Sequence, residues 1–203
     1  MNTKSTLSQL RKNEREIRKN LIIDAAISLF ARKSFKSTSI RDIAAEAGIS
    51  PASIYRYFLD RDELFVEALL REGKDIIASI EKLLNENGDS SIEKISAGFV
   101  NYLLDHDTFF QMMTHFMMDG NISEKSLAKF NEAERCLLNT FDEIFKKIGV
   151  KENVRLVSHT FFASLNGIII TFRKYPGRSE EEVRKHIRRL AYITAGIFKK
   201  GTV

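Results

Sequence analysis

Arg56, preceded by Ser50 and Ser53 and flanked by Tyr55 and Tyr57, belongs to a set of side chains that can read the edges of base pairs. A guanidinium presents a rigid fork to guanine O6 and N7, and serine hydroxyls near a helix start can donate to base edges or to phosphate. That chemistry needs the side chains on one outward face of a helix entering a major groove. The neighbouring residues specify such a helix. Ser50 suits an N-cap, and Pro51 suits the first helical position, where an amide hydrogen would be unpaired. Ile54 and Phe58, four apart, form the face that packs on Ile43 and Ala47, which turns Pro51, Ala52, Ser53, Arg56 and part of Tyr57 outward. Upstream, Ile40, Ile43, Ala44 and Ala47 keep a helical period. The expectation is two short helices about a Gly48 turn, the second offering a reading face and free N-terminal amides for phosphate.

A second concentration of side chains suits a cavity. Phe99, Tyr102, Leu103, Phe109, Phe110, Met112, Met113, Phe116, Met117 and Met118 are the densest aromatic and methionine run, and Gln111, Thr114 and His115 can orient a polar end of a bound molecule. The expected ligand site comprises Phe99, Tyr102, Leu103, Phe109, Gln111, Met112, Met113, His115 and Phe116, taking an apolar or amphipathic effector such as an acyl chain. A packed core explains the same run without any ligand. Enzyme chemistry finds little support: His106, His115, His159 and His186 form no metal-ligand spacing, and there is no phosphate loop or nucleophile elbow. The residues of Asp105-His106-Asp107 would point in different directions on a helix. No catalytic residue, metal or cofactor is expected.

The elements that must position these groups are helical. A first helix is expected from about Glu14 to Lys33, with Leu21, Ile22, Ala25, Ala26 and Leu29 facing a small core. Asp60 and Glu63 form a capping-box pair for the helix carrying Leu64, Phe65, Ala68 and Leu69, with no firm breaker before the Gly88 region. The composition then shifts: eleven of the fifteen Phe lie at Phe99 or later, and helical runs are divided near Gly88, Gly120, Gly149 and Pro176–Gly177. Ser90, Asn121 or Ser123, and Ser179 are the expected helix starts. The run Gly167–Phe172 is strand-like in composition, yet its flanks make it helical.

Charge and composition narrow the partners. The chain of 203 residues is 43% hydrophobic with net charge +5, and residues 1–41 hold ten Lys or Arg against three acids, a local balance of +7. Arg11, Lys12, Arg15, Arg18 and Lys19 can therefore reach phosphates or a minor groove, or simply solubilise an arm. Residues 173–203 are basic too, with nine Lys or Arg against three Glu, although charge alone assigns them no partner. No apolar run approaches roughly 18 uninterrupted residues and the start lacks a secretory pattern, so a cytoplasmic location without membrane partners is expected. The single Cys136 fits a reducing compartment.

Together the segments Ile22–Phe30, Thr38–Ser50, Ile54–Phe58 and Arg61–Leu64 resemble the TetR family of bacterial transcriptional regulators. The resemblance implies that Ser39 caps the second helix and approaches phosphate, that Ala52, Tyr55, Arg56 and Tyr57 lie on or beside the recognition helix, and that Arg61 clamps phosphate. Three departures stand out: Ala52 where the family often has Gly, Arg61 where Lys is usual, and Ser34 where Gly commonly ends the first helix. The DNA-binding set is thus Ser39, Ser50, Pro51, Ala52, Ser53, Tyr55, Arg56, Tyr57 and Arg61.

The last two helices, about Asn153 to Arg173 and Ser179 to Lys199, mix apolar faces with small residues and suit a four-helix dimer interface. Its expected residues are Val157, Phe161, Ser164, Leu165, Ile168, Leu190, Thr194 and Ile197, and the family places dimer contacts in this region. The overall expectation is all-α: an N-terminal three-helix DNA-binding domain with a helix-turn-helix over 1–61, then a larger helical ligand-binding and dimerisation domain over 62–203. Its function would be a homodimeric repressor on palindromic double-stranded operator DNA, released by its effector. An activator or dual regulator would use the same fold, and an enzyme acting on an apolar small molecule is the remaining alternative.

Overall fold

The computed structural model describes residues 3–33, 37–85, 91–118 and 122–201, and every regular element among them is an α-helix. The described chain divides into two compact units, one of residues 1–72 with 111–130 and one of residues 73–110 with 131–203. The sequence-based boundary at 61/62 falls within the first unit, at the start of its fourth helix.

In the first unit, α1 (Thr3–Phe30) packs on α2 (Ile40–Glu46) and α4 (Arg61–Glu72), while α2 packs on α3 (Pro51–Ile54). Ile22, Ile23, Ala26, Leu29 and Phe30 of α1 close over Ile43, Ala44, Ile54, Phe58, Leu64 and Phe65, all buried. Phe30 meets Phe65 edge-on, with ring centres 4.6 Å apart. Two expectations for α1 need correction. It begins at Thr3 rather than near Glu14, and Leu21 is exposed, because the buried stripe runs through Ile22, Ala25/Ala26 and Leu29 and leaves position 21 on its far side. The family departure at Ser34 lies outside the described residues.

Helix α4 ends at Glu72, earlier than the absence of a sequence breaker implied, and α5 (Lys74–Asn85) starts beyond Gly73. The capping pair of α4 is present in a shifted form: Asp60 accepts the Glu63 amide at 2.7 Å, and the Glu63 carboxylate accepts the Leu59 amide at 2.7 Å. Two lysines from the start of α8 (Glu124–Lys147) complete this end of α4. Lys125 lies 2.8 Å from Glu63, and Lys129 spans Glu63 and Glu67 at 3.4 and 2.6 Å. Burial raises the Glu63 carboxyl, but the Leu59 amide, Lys125 and Lys129 outweigh it and hold it at about 2. Ser123 precedes α8 as expected. Its amide donates to Asp62 at 3.1 Å, while its buried hydroxyl finds no partner among the described residues and so does not act as a cap.

The second unit is built on α6 (Ile92–Asp105), which packs against α5, α9 (Val154–Phe172) and α10 (Glu180–Gly201). Phe99, Phe141, Phe145 and Phe161 are fully buried, and Phe141 and Phe145 each meet Phe161 edge-on at 5.6 and 5.4 Å. Helix α6 is capped by Ser91, whereas the expected cap Ser90 and the Gly88 and Gly120 turns lie outside the described residues. Ser179 begins α10 in a reciprocal pair with Glu182, as the sequence implied. Gly167–Phe172 is the end of α9, and that helix alone among the described ones is long and apolar enough by composition to cross a membrane. Phe161, Phe162, Leu165 and Ile169 on one side of it are buried in the unit, and Ser158 is tied to Asp142 at 2.6 Å.

Candidate nucleic-acid interface

The turn between α2 and α3 is fixed by backbone chemistry. Gly48 has φ +66°, its amide reaches the Ala45 carbonyl at 3.2 Å, and the Ile49 amide reaches the Ala44 carbonyl at 2.9 Å. This paired closure, with glycine in the left-handed position, ends α2 and re-aims the chain. Ser50 then caps α3: its Oγ accepts the Ser53 amide at 3.2 Å and shares a hydroxyl–hydroxyl hydrogen bond with Ser53 Oγ at 2.9 Å. That contact uses one hydroxyl hydrogen of the two, so the other remains to donate outward.

Helix α3 proper is only four residues long. A turn continues it through Tyr57, with the Phe58 amide still bonded to the Ile54 carbonyl at 3.1 Å. The four-residue spacing of Ile54 and Phe58 therefore holds, and both are buried. Around them Pro51, Ala52, Tyr55 and Arg56 are exposed, while Ser53 and Tyr57 are half-buried. The inward pair Ile54 and Phe58 and the outward Pro51, Ala52 and Arg56 are as the spacing implied, whereas Tyr55 joins the outward side and Ala47 and Ser53 are only half-buried.

At the start of α2, Ser39 and Asp42 form a capping box. The Asp42 amide donates to Ser39 Oγ at 3.2 Å, and the Asp42 carboxylate accepts both the Ser39 amide and hydroxyl at 2.8 and 2.6 Å. The Ser39 hydroxyl and amide, helped by Lys33, hold the Asp42 carboxyl at about 2. Both Ser39 donors are thus engaged, so a phosphate at this helix end would meet the amides of Ile40 and Arg41, which have no acceptor inside the helix. The Ser-x-x-Asp spacing at 39–42 was the sequence signal for this, and the reading from Ser39 alone missed it.

Arg61, in the first turn of α4, is half-buried with its guanidinium 5.2 Å from the Phe65 ring centre. From α1, Arg15 donates to the Arg56 carbonyl at 3.3 Å and lies over Tyr57 at 5.4 Å. Lys19 lies over Phe58 at 5.7 Å and pairs with Glu67 at 3.0 Å. The end of α1 is tied to α2 through Arg32 and Ser28, both bonded to Glu46. This surface can hold a short helix outward, present a guanidinium beside two hydroxyls, and surround them with cations.

The other expected sites are distributed differently. Phe99, Tyr102, Leu103 and Phe109 lie in the second unit, whereas Gln111, Met112, Met113, His115 and Phe116 lie in the first. Phe99 and Leu103 are closed in one core, Met112, Met113 and Phe116 in the other, and Met118 is 75% exposed. Tyr102 stacks on His106 and meets Phe109 edge-on, and Phe116 stacks on Phe130. An open groove of about 360 Å³ between α5 and α6 is lined by Ile76, Ile80 and Tyr102, with Ser79, Asn101, Asp105 and His106 among its polar residues. Only Tyr102 of the expected ligand set borders it. Asp105-His106-Asp107 spans the junction of α6 with α7 (Asp107–Met118), where Asp105 pairs with Arg184 and Asp107 with Arg173.

Of the expected dimer residues, Phe161 and Leu165 are fully buried inside the unit. They serve its core rather than an interface, because the buried stripe of α9 runs through Phe161, Leu165 and Ile169. Val157, Ser164, Ile168, Leu190 and Thr194 are half-buried, and Ile197 is exposed. The exposed side of α9 is instead Leu156, Thr160, Ala163, Gly167 and Ile170, at steps of four and three residues. A groove of about 340 Å³ on this side is lined by Leu156, Val157, Thr160, Ile197, Phe198 and Gly201. Among the described residues no group of three His, Cys, Asp or Glu could hold a metal ion.

Residues 22–68 match the family of bacterial regulatory proteins, tetR family. The chain is 33% identical over 110 residues to an uncharacterized HTH-type transcriptional regulator of Haemophilus influenzae; the match covers 54% of this chain, which spans about half (50%) of that relative's length. Among solved structures it resembles the transcriptional regulator FadR from Bacillus subtilis in complex with stearoyl-CoA, with TM-score 0.69, 19% identity and coverage of 89% and 97% of the two chains. It also resembles the TetR family regulator PfmR from Thermus thermophilus, with TM-score 0.60, 24% identity and coverage of 84% and 96%. Both likenesses are of fold.

Proposed function

We propose that the chain is a regulator of the tetR family of bacterial regulatory proteins, which its residues 22–68 match, and that it acts as a ligand-responsive homodimeric transcriptional repressor on a palindromic operator. The observation that carries this reading is the outward face Pro51, Ala52, Tyr55 and Arg56, held on buried Ile54 and Phe58. Arg56 reads a guanine, while Arg61 and the amides at the start of α2 hold phosphates. Residues 1–61 serve DNA and residues 62–203 serve regulation and pairing. Two copies joined through the exposed sides of α9 and α10 set the half-site spacing, and occupancy of a promoter in the cytoplasm blocks transcription.

The effector is an apolar or amphipathic molecule, a class supported by the fold-similar Bacillus subtilis regulator solved with stearoyl-CoA. It releases DNA only if it favours a conformation that no longer matches the half-sites. The α5–α6 groove, with its apolar wall of Ile76, Ile80 and Tyr102, is the first place to probe. Selection of duplexes from a randomised pool with the full-length chain tests the reading directly. A recovered palindrome, released by a long-chain acyl-CoA, is the expected result. Absence of any sequence enrichment would reject the regulator.

A further inference from the structure

We propose that the N-terminal half of α1 is a second DNA-contacting element, a cationic helix face that grips phosphates flanking the half-site read by α3. The proposal rests on the DNA-binding reading and extends it to a surface outside the helix-turn-helix. The face of α1 that buries Ile22, Ala26 and Leu29 continues toward the N-terminus through Arg18, Arg15 and Arg11, at steps of three and four residues. Where the apolar core ends, the same face becomes mainly cationic: Lys12 and Lys19 flank it on one side, and on the other Glu14 pairs with Arg18 at 2.8 Å, which leaves Arg11, Lys12 and Arg15 as the cations not paired with a carboxylate among the described residues.

Its register to the reading segment is fixed by contact. Arg15 donates to the Arg56 carbonyl and covers Tyr57, and Lys19 covers Phe58, so the cationic face is continuous with the end of the recognition turn. Arg11 and Lys12 lie beyond that contact, both exposed and without an ion pair or hydrogen bond among the described residues. The eight residue steps from Arg11 to Lys19 span about 12 Å of helix. Duplex DNA carries one negative charge per roughly 1.7 Å of axis, so a face of this length can engage several phosphates without reading a base. An exposed apolar stripe of Leu7, Leu10, Ile17 and Leu21 occupies a different side of α1, which gives the helix the amphipathic character that also suits an anionic membrane. Continuity with Arg56 and Tyr57 favours DNA.

The test uses the full chain and two duplexes sharing one operator recovered by selection. One duplex ends at the outer edges of the half-sites, and the other carries about 10 additional mixed-sequence base pairs on each side, roughly one turn. Wild type should bind the longer duplex about tenfold more tightly at low salt, and this gain should shrink as salt rises. Arg11→Gln with Lys12→Gln should keep the short-duplex affinity and base preference but lose most of the flank gain, and the salt slope should fall by about 1.8 per protomer engaged. Both side chains are exposed, so an unchanged melting curve should accompany the loss. Equal wild-type affinity for the two duplexes, or equal weakening of both by the variant, would overturn the inference while leaving the operator reading intact. Binding to vesicles containing anionic lipid that the variant abolishes, with the flank gain untouched, would assign the face to a membrane instead. If no operator is recovered, the DNA reading itself fails and this inference falls with it.

Discussion

At the scale of single residues, the two arginines near the turn have different surroundings and should fail differently. Arg56 is exposed with nothing engaging its guanidinium among the described residues, whereas Arg61 is half-buried over Phe65. Arg56→Ala should cost about 1–3 kcal/mol on the preferred operator and relax base choice at one position. Arg61→Ala should weaken preferred and altered operators alike and lower the salt slope by about 1. Matching losses across operator variants, measured by equilibrium binding at several salt concentrations, would contradict the division of roles. Glu63 carries a separate prediction about stability. Its carboxyl falls from the ordinary 4.5 to about 2 in the folded protein, so its contribution is fully present above pH 4.5 and is lost as the pH drops toward 2. Glu63→Gln should lower the urea midpoint at pH 7, with the gap to wild type closing between pH 4.5 and 2. A constant gap over that range would mean that the carboxylate's charge is not what the site uses. The sequence made Glu63 legible as a cap for α4, since Asp60 stands three residues before it. Lys125 and Lys129 were not legible as its partners, because a pairing across sixty residues leaves no local pattern.

Element by element, local chemistry predicted what local chemistry decides. The Gly48 turn, the Ser50 cap, the Ser179 cap and the buried pair Ile54 and Phe58 all follow from residues within four or five positions of one another. The length of α1 and the end of α4 did not follow. Residues 7–18 of α1 are all exposed and present no buried stripe to count, and α4 stops at Gly73, a residue that the helix period tolerates but the backbone uses as a break. The α2–α3 turn offers a direct test of backbone against packing. A Cβ added at Gly48 would meet nothing within 4 Å, so the cost of Gly48→Ala comes from its φ of +66° alone. The substitution should destabilise the protein by about 1–2 kcal/mol, and Gly48→Asn, which tolerates this conformation better, by less. Ser50→Ala should cost about 1 kcal/mol by leaving the Ser53 amide without its cap. Thermal unfolding of the three variants checks the order, and equal losses for Ala and Asn at position 48 would show that the conformation is not the cause.

For the whole molecule, the proposed function depends on two reading faces held at one spacing, so pairing of protomers is the property to perturb. Sequence periodicity identified α9 and α10 as helices with broad apolar faces but could not say which stripe faced the protomer's own core. Phe161 and Leu165 turned inward, and Leu156, Ile193 and Ile197 were left outside, at 62%, 48% and 64% exposure. The groove bordered by Leu156, Thr160 and Ile197, with the small residues Ala163 and Gly167 further along α9, allows another helix to approach closely. Leu156→Glu with Ile197→Glu places charge on this exposed side, where water accommodates it in a monomer and a dimer interface would have to bury it. The double variant should therefore keep its helicity and melting cooperativity while sedimenting as a monomer, and its affinity for a palindromic operator should fall to that of a single half-site. Phe161→Ser is the contrasting change. Truncating that fully buried ring should cost about 3–5 kcal/mol of protomer stability, so its loss of DNA binding would come with loss of fold. A folded Leu156→Glu/Ile197→Glu protein that still sediments as a dimer and binds the palindrome unchanged would move the pairing surface away from α9 and α10.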